Sequence, residues 1–146
     1  MRIDPTGAAG ADAARARQLP NFVVIGAPKC GTTSLHRYLS QHPDVYLPVQ
    51  KELHYFSCPR ICEFTGGPGD TDVLARITGS PEGYAAHYAG VRGQAAIGEI
   101  SPSYLYFSEI AGNIREQLGD VKIIAMLRNP VQKAYSQYLH LVRDNR

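Results

Sequence analysis

The chain has 146 residues, 44% of them apolar and 19% charged, which is enough for one packed domain and too little charge for a solvated disordered tail. A net charge of +2 suits an anionic ligand and makes no case for nucleic acid. No apolar run reaches the roughly 18 residues of a membrane span, and no signal-peptide core precedes the folded part, so a cytoplasmic protein without a membrane span is expected.

Residues 1–20 are rich in Ala and Gly with scattered Arg and Asp. They read as a flexible extension, with at most a short helix over 11–19 that lacks an apolar stripe. Residues 21–146 read as the folded part. Phe22, Val23, Val24 and Ile25 suit a strand buried on both faces of a parallel sheet, and a strand is expected over 21–27. Gly26, Pro28 and Gly31 then break the chain. Leu35 and Leu39 return at helical spacing, which predicts a helix over 32–41 that stops before Pro43.

Strand, tight turn and helix is the layout of a phosphate cradle. Loop and first-turn amides face the anion, and the helix dipole favours negative charge there. Lys29 adds a full positive charge, and Thr32, Thr33 and Ser34 add hydroxyls. The nucleotide loop G-x-x-x-x-G-K-[ST] is not reproduced. Gly26 and Gly31 keep its spacing, but Thr32 stands where its lysine belongs, and the lysine sits inside the loop at position 29. A smaller terminal anion therefore fits better than a magnesium triphosphate.

A short strand is expected at 45–47, followed by the charged and aromatic run Lys51-Glu52-Leu53-His54-Tyr55-Phe56, which has no clean helical period. If that run is extended, Glu52 and His54 share a face. Tyr55 and Phe56 are close enough in sequence to shield Glu52 from water. Short helices are predicted over 72–77 and 81–88, the second capped by Ser80 with Pro81 at its first position. Cys30, Cys58 and Cys62 leave one thiol unpaired in any disulfide scheme, which suits a reducing compartment. Cys58 and Cys62 have no second pair or nearby histidine to complete a zinc set, so no metal is expected.

A core strand is predicted over 95–100, ending at the turn Ser101-Pro102-Ser103-Tyr104. A helix follows over 109–118, with Ile110, Ile114 and Leu118 on one face and Gly119 as its stop. Residues 121–127 give the strongest strand pattern and read as buried. Asn129 and Pro130 then open a helix whose stripe is Val131, Tyr135, Tyr138 and Val142, with Ser136 on another side near His140. Strands alternating with helices argue an α/β domain with a mostly parallel sheet flanked by helices. Lys29, Ser101 and Arg128 all fall near carboxyl ends of strands, where such sheets bind ligands. Arg128 with Ser136 suits a phosphate.

The run GAPKCGTTSLHRYL resembles the 5′-phosphosulfate loop of the sulfotransferases, and LRNPVQKAYSQY resembles their 3′-phosphate motif. Between them, KELHYF and GEISPSYLY resemble segments of the glycan-modifying branch typified by heparan sulfate sulfotransferases. That branch carries a lysine after the acid of the Ser-Pro block, where this chain has Ile100 after Glu99. The family domain runs well past the length of this chain, so an incomplete domain is expected, with apolar surface exposed and open to self-association.

The resemblance implies sulfuryl transfer from 3′-phosphoadenosine 5′-phosphosulfate (PAPS) to a hydroxyl or amine of an acceptor glycan or small molecule. It places Lys29, Cys30, Gly31, Thr32, Thr33 and Ser34 on the 5′-phosphosulfate, and Arg128 and Ser136 on the 3′-phosphate. Glu52 is the implied base and Lys29 the implied catalytic cation. Lys51, His54, Ser101 and Pro102 are expected on the acceptor side. His54 titrates nearer neutrality and is the rival base. Two other readings stand beside this one, a non-catalytic nucleotide-binding remnant and a P-loop kinase relative.

Overall fold

The computed structural model describes residues 19–63, 66–67 and 69–144; of the extension read over residues 1–20, all but the last two lie outside them. Four strands, β1 (Phe22–Gly26), β2 (Val45–Tyr46), β3 (Ala96–Ile100) and β4 (Lys122–Ala125), form one parallel sheet in the order β2-β3-β1-β4. Helix α1 (Thr32–Leu39) joins β1 to β2. Three short helices, α2 (Cys58–Ile61), α3 (Asp70–Leu74) and α4 (Pro81–Ala86), lie between β2 and β3. A 3-10 turn (Pro102–Tyr106) and α5 (Ile110–Leu118) lead to β4, and α6 (Pro130–Arg143) follows it. No helix among the described residues is long and apolar enough to cross a membrane.

Strand alternation splits the core in two. Val23 and Ile97 face a cluster with Leu53, Phe56, Tyr84, Tyr88, Tyr104, Ile110 and Ile114, while Phe22, Val24 and Ile100 face Leu47 with Leu35 and Leu39 of α1. Full burial of each such side chain stabilises the fold by about 1.5–3 kcal/mol. Gly98 lies opposite Phe22 in the β1–β3 ladder, and a Cβ there would stand 2.0 Å from the Phe22 ring. The ring takes the space that a side chain would need.

The expected strands and main helices are present, with shifts at their ends. Helix α1 stops at Leu39, and Ser80 caps α4 by accepting from the Gly83 amide at 3.1 Å. Helix α3 begins two residues earlier than the predicted 72, after Gly69 in the left-handed region. Helix α2 has no counterpart in the sequence reading, since four residues are too few to show a period.

The reading of 121–127 as a buried strand is corrected. Strand β4 covers only Lys122–Ala125 and is exposed at every position, because it pairs with β1 alone and forms the edge of the sheet. The apolar stripe Val131, Tyr135, Tyr138 and Val142 of α6 is exposed as well.

Strand β1 is central. The chain leaves it toward β2 and β3 on one side and returns to β4 on the other. Such a reversal opens a crevice at the carboxyl ends of a parallel sheet.

Candidate active site

The loop after β1 is stitched to the segment after β4. The Ala27 amide donates to the Met126 carbonyl at 2.8 Å, and the Met126 amide donates to the Gly26 carbonyl at 2.7 Å. Lys29 (φ 62°) and Gly31 (φ 96°) both take the left-handed conformation and turn the chain back into α1. Gly31 adopts it without steric cost, whereas Lys29 is held there against its preference. The first turn of α1 presents amides that have no intrahelical acceptor.

The second wall is the Lys51–Phe56 segment. Lys51 Nζ donates to Thr33 Oγ1 at 3.0 Å and pairs with the Glu52 carboxylate, so it bridges the loop helix to the acid. Glu52 Oε2 lies 3.8 Å from His54 Nε2. His54 Nδ1 in turn shares a hydrogen bond with Ser103 Oγ at 2.9 Å, and Ser103 Oγ with Ser57 Oγ at 2.9 Å. Burial holds the His54 pKa below its ordinary value, Glu52 opposes that, and Arg76 and Lys51 add to it. His54 is therefore neutral at pH 7.

Glu52 and His54 meet by a route other than the one expected. The segment is not extended: Glu52 (φ 63°) and His54 (φ 55°) both sit in the left-handed region. Two such non-glycine residues cost about 1–3 kcal/mol each, and strain of this kind clusters at functional sites. Tyr55 and Phe56 do not shield Glu52. Tyr55 stacks on Tyr84 with ring centroids 4.2 Å apart, and Phe56 packs edge-on against Tyr104 in the core.

The third wall comes from the end of the chain. Asn129 Oδ1 accepts from the Val131 and Gln132 amides at 3.1 and 3.3 Å and starts α6. Arg128 Nη1 donates to the Lys29 carbonyl at 3.3 Å.

These walls enclose one cleft of about 900 Å³. Lys29, Gly31, Thr32, Thr33, Lys51, Glu52, His54, Pro102, Arg128 and Ser136 all line it. Its size is that of a large small-molecule site. Lys29, Lys51, Arg76 and Arg128 give it a cationic lining beside the Glu52 carboxylate.

Three of the expected site residues lie off the cleft wall. Cys30 is buried in the loop, Ser34 faces solvent on α1, and Ser101 is fully buried beneath the floor. The sequence reading missed Pro28, Gln50, Val73, Arg76, Ser103, Tyr106, Gln137, His140 and Asp144 on the wall. Ser103 lies in the Ser-Pro turn already noted, one residue beyond Pro102. Val73 and Arg76 lie in and just after α3, in a stretch with no chemical pattern to point to it.

The profile of the sulfotransferase family matches residues 20–146, which spans the Lys29 loop, the Arg128–Ser136 segment and Glu52 between them. The chain belongs to the sulfotransferase family. A solved sulfotransferase from Alicyclobacillus acidocaldarius is 48% identical and superimposes with a TM-score of 0.84, covering 88% of this chain and 52% of that one. The membrane-associated sulfotransferase kil1 of Dictyostelium discoideum is 34% identical over 82% of this chain and 22% of its own length. Carbohydrate sulfotransferase 15 of Mus musculus is 30% identical over 90% of this chain and 29% of its own length. This sulfotransferase chain therefore spans less than a third of those two relatives and about half of the solved one. Its cleft lies wholly within the matched region.

Proposed function

We propose that this chain carries the donor-binding and base-bearing part of an enzyme that transfers a sulfuryl group from PAPS to a hydroxyl or amine of a glycan or small-molecule acceptor. The observation that supports it best is the cleft itself, which brings Lys29, Thr32 and Thr33, Arg128 and Ser136, and Glu52 onto one set of walls from three distant segments.

In this reading Lys29 and the amides from Gly31 to Ser34 hold the 5′-phosphosulfate. Cys30 and Ser34 contribute backbone only, since their side chains lie off the wall. Arg128 and Ser136 hold the 3′-phosphate through a guanidinium fork and a hydroxyl. Glu52 takes the acceptor proton as the acceptor oxygen or nitrogen bonds to sulfur. The sulfur–oxygen bond to the 5′-phosphate breaks, and 3′-phosphoadenosine 5′-phosphate (PAP) leaves with the charge that Lys29 stabilises. Such transfer needs alignment and charge neutralisation more than covalent help from the protein.

Lys51 adds a second cation between the anion loop and the base. Its contacts to Thr33 and Glu52 support a role in fixing their spacing. A second reading for the base rests on His54, which is neutral, lines the cleft and is oriented by Ser103. Glu52 is preferred because it is the more exposed to an incoming acceptor, at 38% against 11% for the two side chains. Against a kinase relative stands Thr32, which is 4% exposed and leaves no place for the nucleotide-loop lysine.

The test is titration calorimetry with PAP, followed by transfer of labelled sulfate from PAPS to a panel of acceptor glycans and phenols. Binding with transfer supports the proposal, and binding without transfer supports the non-catalytic remnant. Magnesium-dependent ATP hydrolysis with no PAP binding would move the chain to the kinase reading.

A further inference from the structure

Glu99 is fully buried on the core face of β3, and no ion pair among the described residues includes it. Three hydroxyls donate to it: Tyr84 to Oε2 at 2.6 Å, Ser101 to Oε1 at 2.7 Å, and Tyr104 to Oε1. Burial pushes its pKa up, and the three hydroxyl bonds pull it back. A buried carboxyl is costly to keep, and its presence asks for a reason.

The reason lies in what two of those hydroxyls do with their remaining lone pairs. Ser101 Oγ accepts from the His54 amide at 3.3 Å, and Tyr104 OH accepts from the Phe56 amide at 3.3 Å. The Glu52 amide donates to the Ile100 carbonyl at 3.0 Å. Alternate amides, at 52, 54 and 56, are thus tied to the end of β3 and the turn after it. The first goes to a backbone carbonyl and the next two to hydroxyls that both point their protons at Glu99. The segment so tied is the one holding Glu52 and His54 in the left-handed region, a conformation that persists only where the surroundings over-determine it.

We propose that Glu99 is a positioning residue: its carboxyl orients Ser101 and Tyr104 as acceptors for the Glu52–Phe56 backbone and so sets the acid and imidazole in the cleft. The catalytic part of this statement rests on the reading of Glu52 as the base. The positioning part does not.

The test is amide hydrogen exchange by NMR, with turnover alongside. Glu99→Leu keeps the bulk and removes both acceptor oxygens. The His54 and Phe56 amides should then exchange about tenfold faster, with Val23 and Val24 of β1 unchanged. Glu99→Gln keeps an oxygen at the Oε1 position and should restore protection to within about threefold. Ser101→Ala should loosen the His54 amide alone, and Tyr104→Phe the Phe56 amide alone. In the transfer reaction, Glu99→Leu should lower kcat about tenfold and leave KM for PAPS within about twofold, a split that general loss of fold does not produce.

The proposal is overturned if His54 and Phe56 keep their protection in Glu99→Leu, if β1 amides loosen by the same factor, or if Glu99→Gln is as damaging as Glu99→Leu. Should Glu99→Leu fail to fold, the two hydroxyl variants decide alone: selective loosening supports the proposal, and unchanged protection overturns it. A wild-type chain with neither PAP binding nor transfer would end the sulfotransfer reading while leaving the exchange result to judge Glu99.

Discussion

Arg128 donates from Nη1 to the carbonyl oxygen of Lys29 at 3.3 Å, across 99 residues of sequence. The contact joins the end of the β4 segment to the one loop residue other than glycine that is forced into the left-handed region. It makes the arginine part of the loop's support as well as part of the cleft wall.

Arg128→Ala should therefore weaken two ligands unequally. A charge-assisted contact is worth about 1.5–3 kcal/mol, so PAP should bind roughly tenfold to a hundredfold more weakly. Adenosine 5′-phosphosulfate, which lacks the 3′-phosphate, should lose only about threefold through the loosened loop. Calorimetry with both ligands checks this. Equal losses would leave Arg128 with the loop role alone.

Lys29→Ala should cut turnover far more than it cuts PAP affinity. A cation whose contact strengthens as charge develops on the leaving oxygen acts mainly on the transition state. Steady-state kinetics beside PAP titration separate the two. A loss of equal size in both measurements would make Lys29 a simple anion ligand.

Glu52→Gln keeps the shape of the acid and removes its basicity. Turnover should fall by about 10²–10⁴, with PAP affinity nearly intact because Glu52 makes none of the proposed phosphate contacts. His54→Ala should cost less in the chemical step. The reverse ranking assigns the base to His54, with the Glu52 carboxylate beside it at 3.8 Å.

The buried imidazole also sets a pH dependence of stability. The folded pKa of His54 is lowered, mainly by burial, with Glu52 opposing and Arg76 and Lys51 reinforcing; burial lowers His87 in the same direction. Below about pH 6.5 the unfolded chain then binds more protons than the folded one, so stability is full above that value and falls as pH drops toward the folded pKa. The raised Glu99 carboxyl acts in the opposite direction, so the His54 contribution is read as the difference in urea midpoint between the wild type and His54→Gln, which should shift against the wild type as pH falls below about 6.5. A difference that shifts in favour of the wild type on acidification would contradict the sign.

The edge strand and the last helix expose Ile123, Tyr135 and Tyr138 at 51%, 63% and 60%. An open strand edge beside an apolar helix face favours pairing with another chain. Sedimentation of this chain should show concentration-dependent association, reduced by Ile123→Lys with Tyr135→Lys. A concentration-independent monomer would show that these side chains are tolerated in water.

Much of the arrangement followed from local chemistry. The β-branched run at Phe22–Gly26, the glycines around Lys29 and the Asn129-Pro130 start of α6 each encode their geometry within a few residues, because caps, turns and buried strands depend on near neighbours. So the tight turn at Lys29, the parallel sheet and the side of α6 that carries Ser136 could be read directly. The Glu52–Phe56 segment could not. Its two left-handed residues are neither glycine nor asparagine, and the conformation is imposed by partners 46 to 49 positions away, at Ser101, Ser103, Tyr104 and Ser57's link to Ser103.

The sequence alone determined that a cationic, hydroxyl-rich loop would follow the first strand and that Arg128 would flank the last helix and Ser136 sit on it, because those features are local. Only the tertiary structure decided that β4 is an exposed edge, that Tyr55 and Phe56 serve the core instead of shielding the acid, that Arg76 reaches the cleft, and that Glu99 lies beneath it as an anchor. Each of these depends on which surfaces remain unpaired after the chain has packed, and such pairing is a property of long-range contacts that no stretch of residues carries by itself.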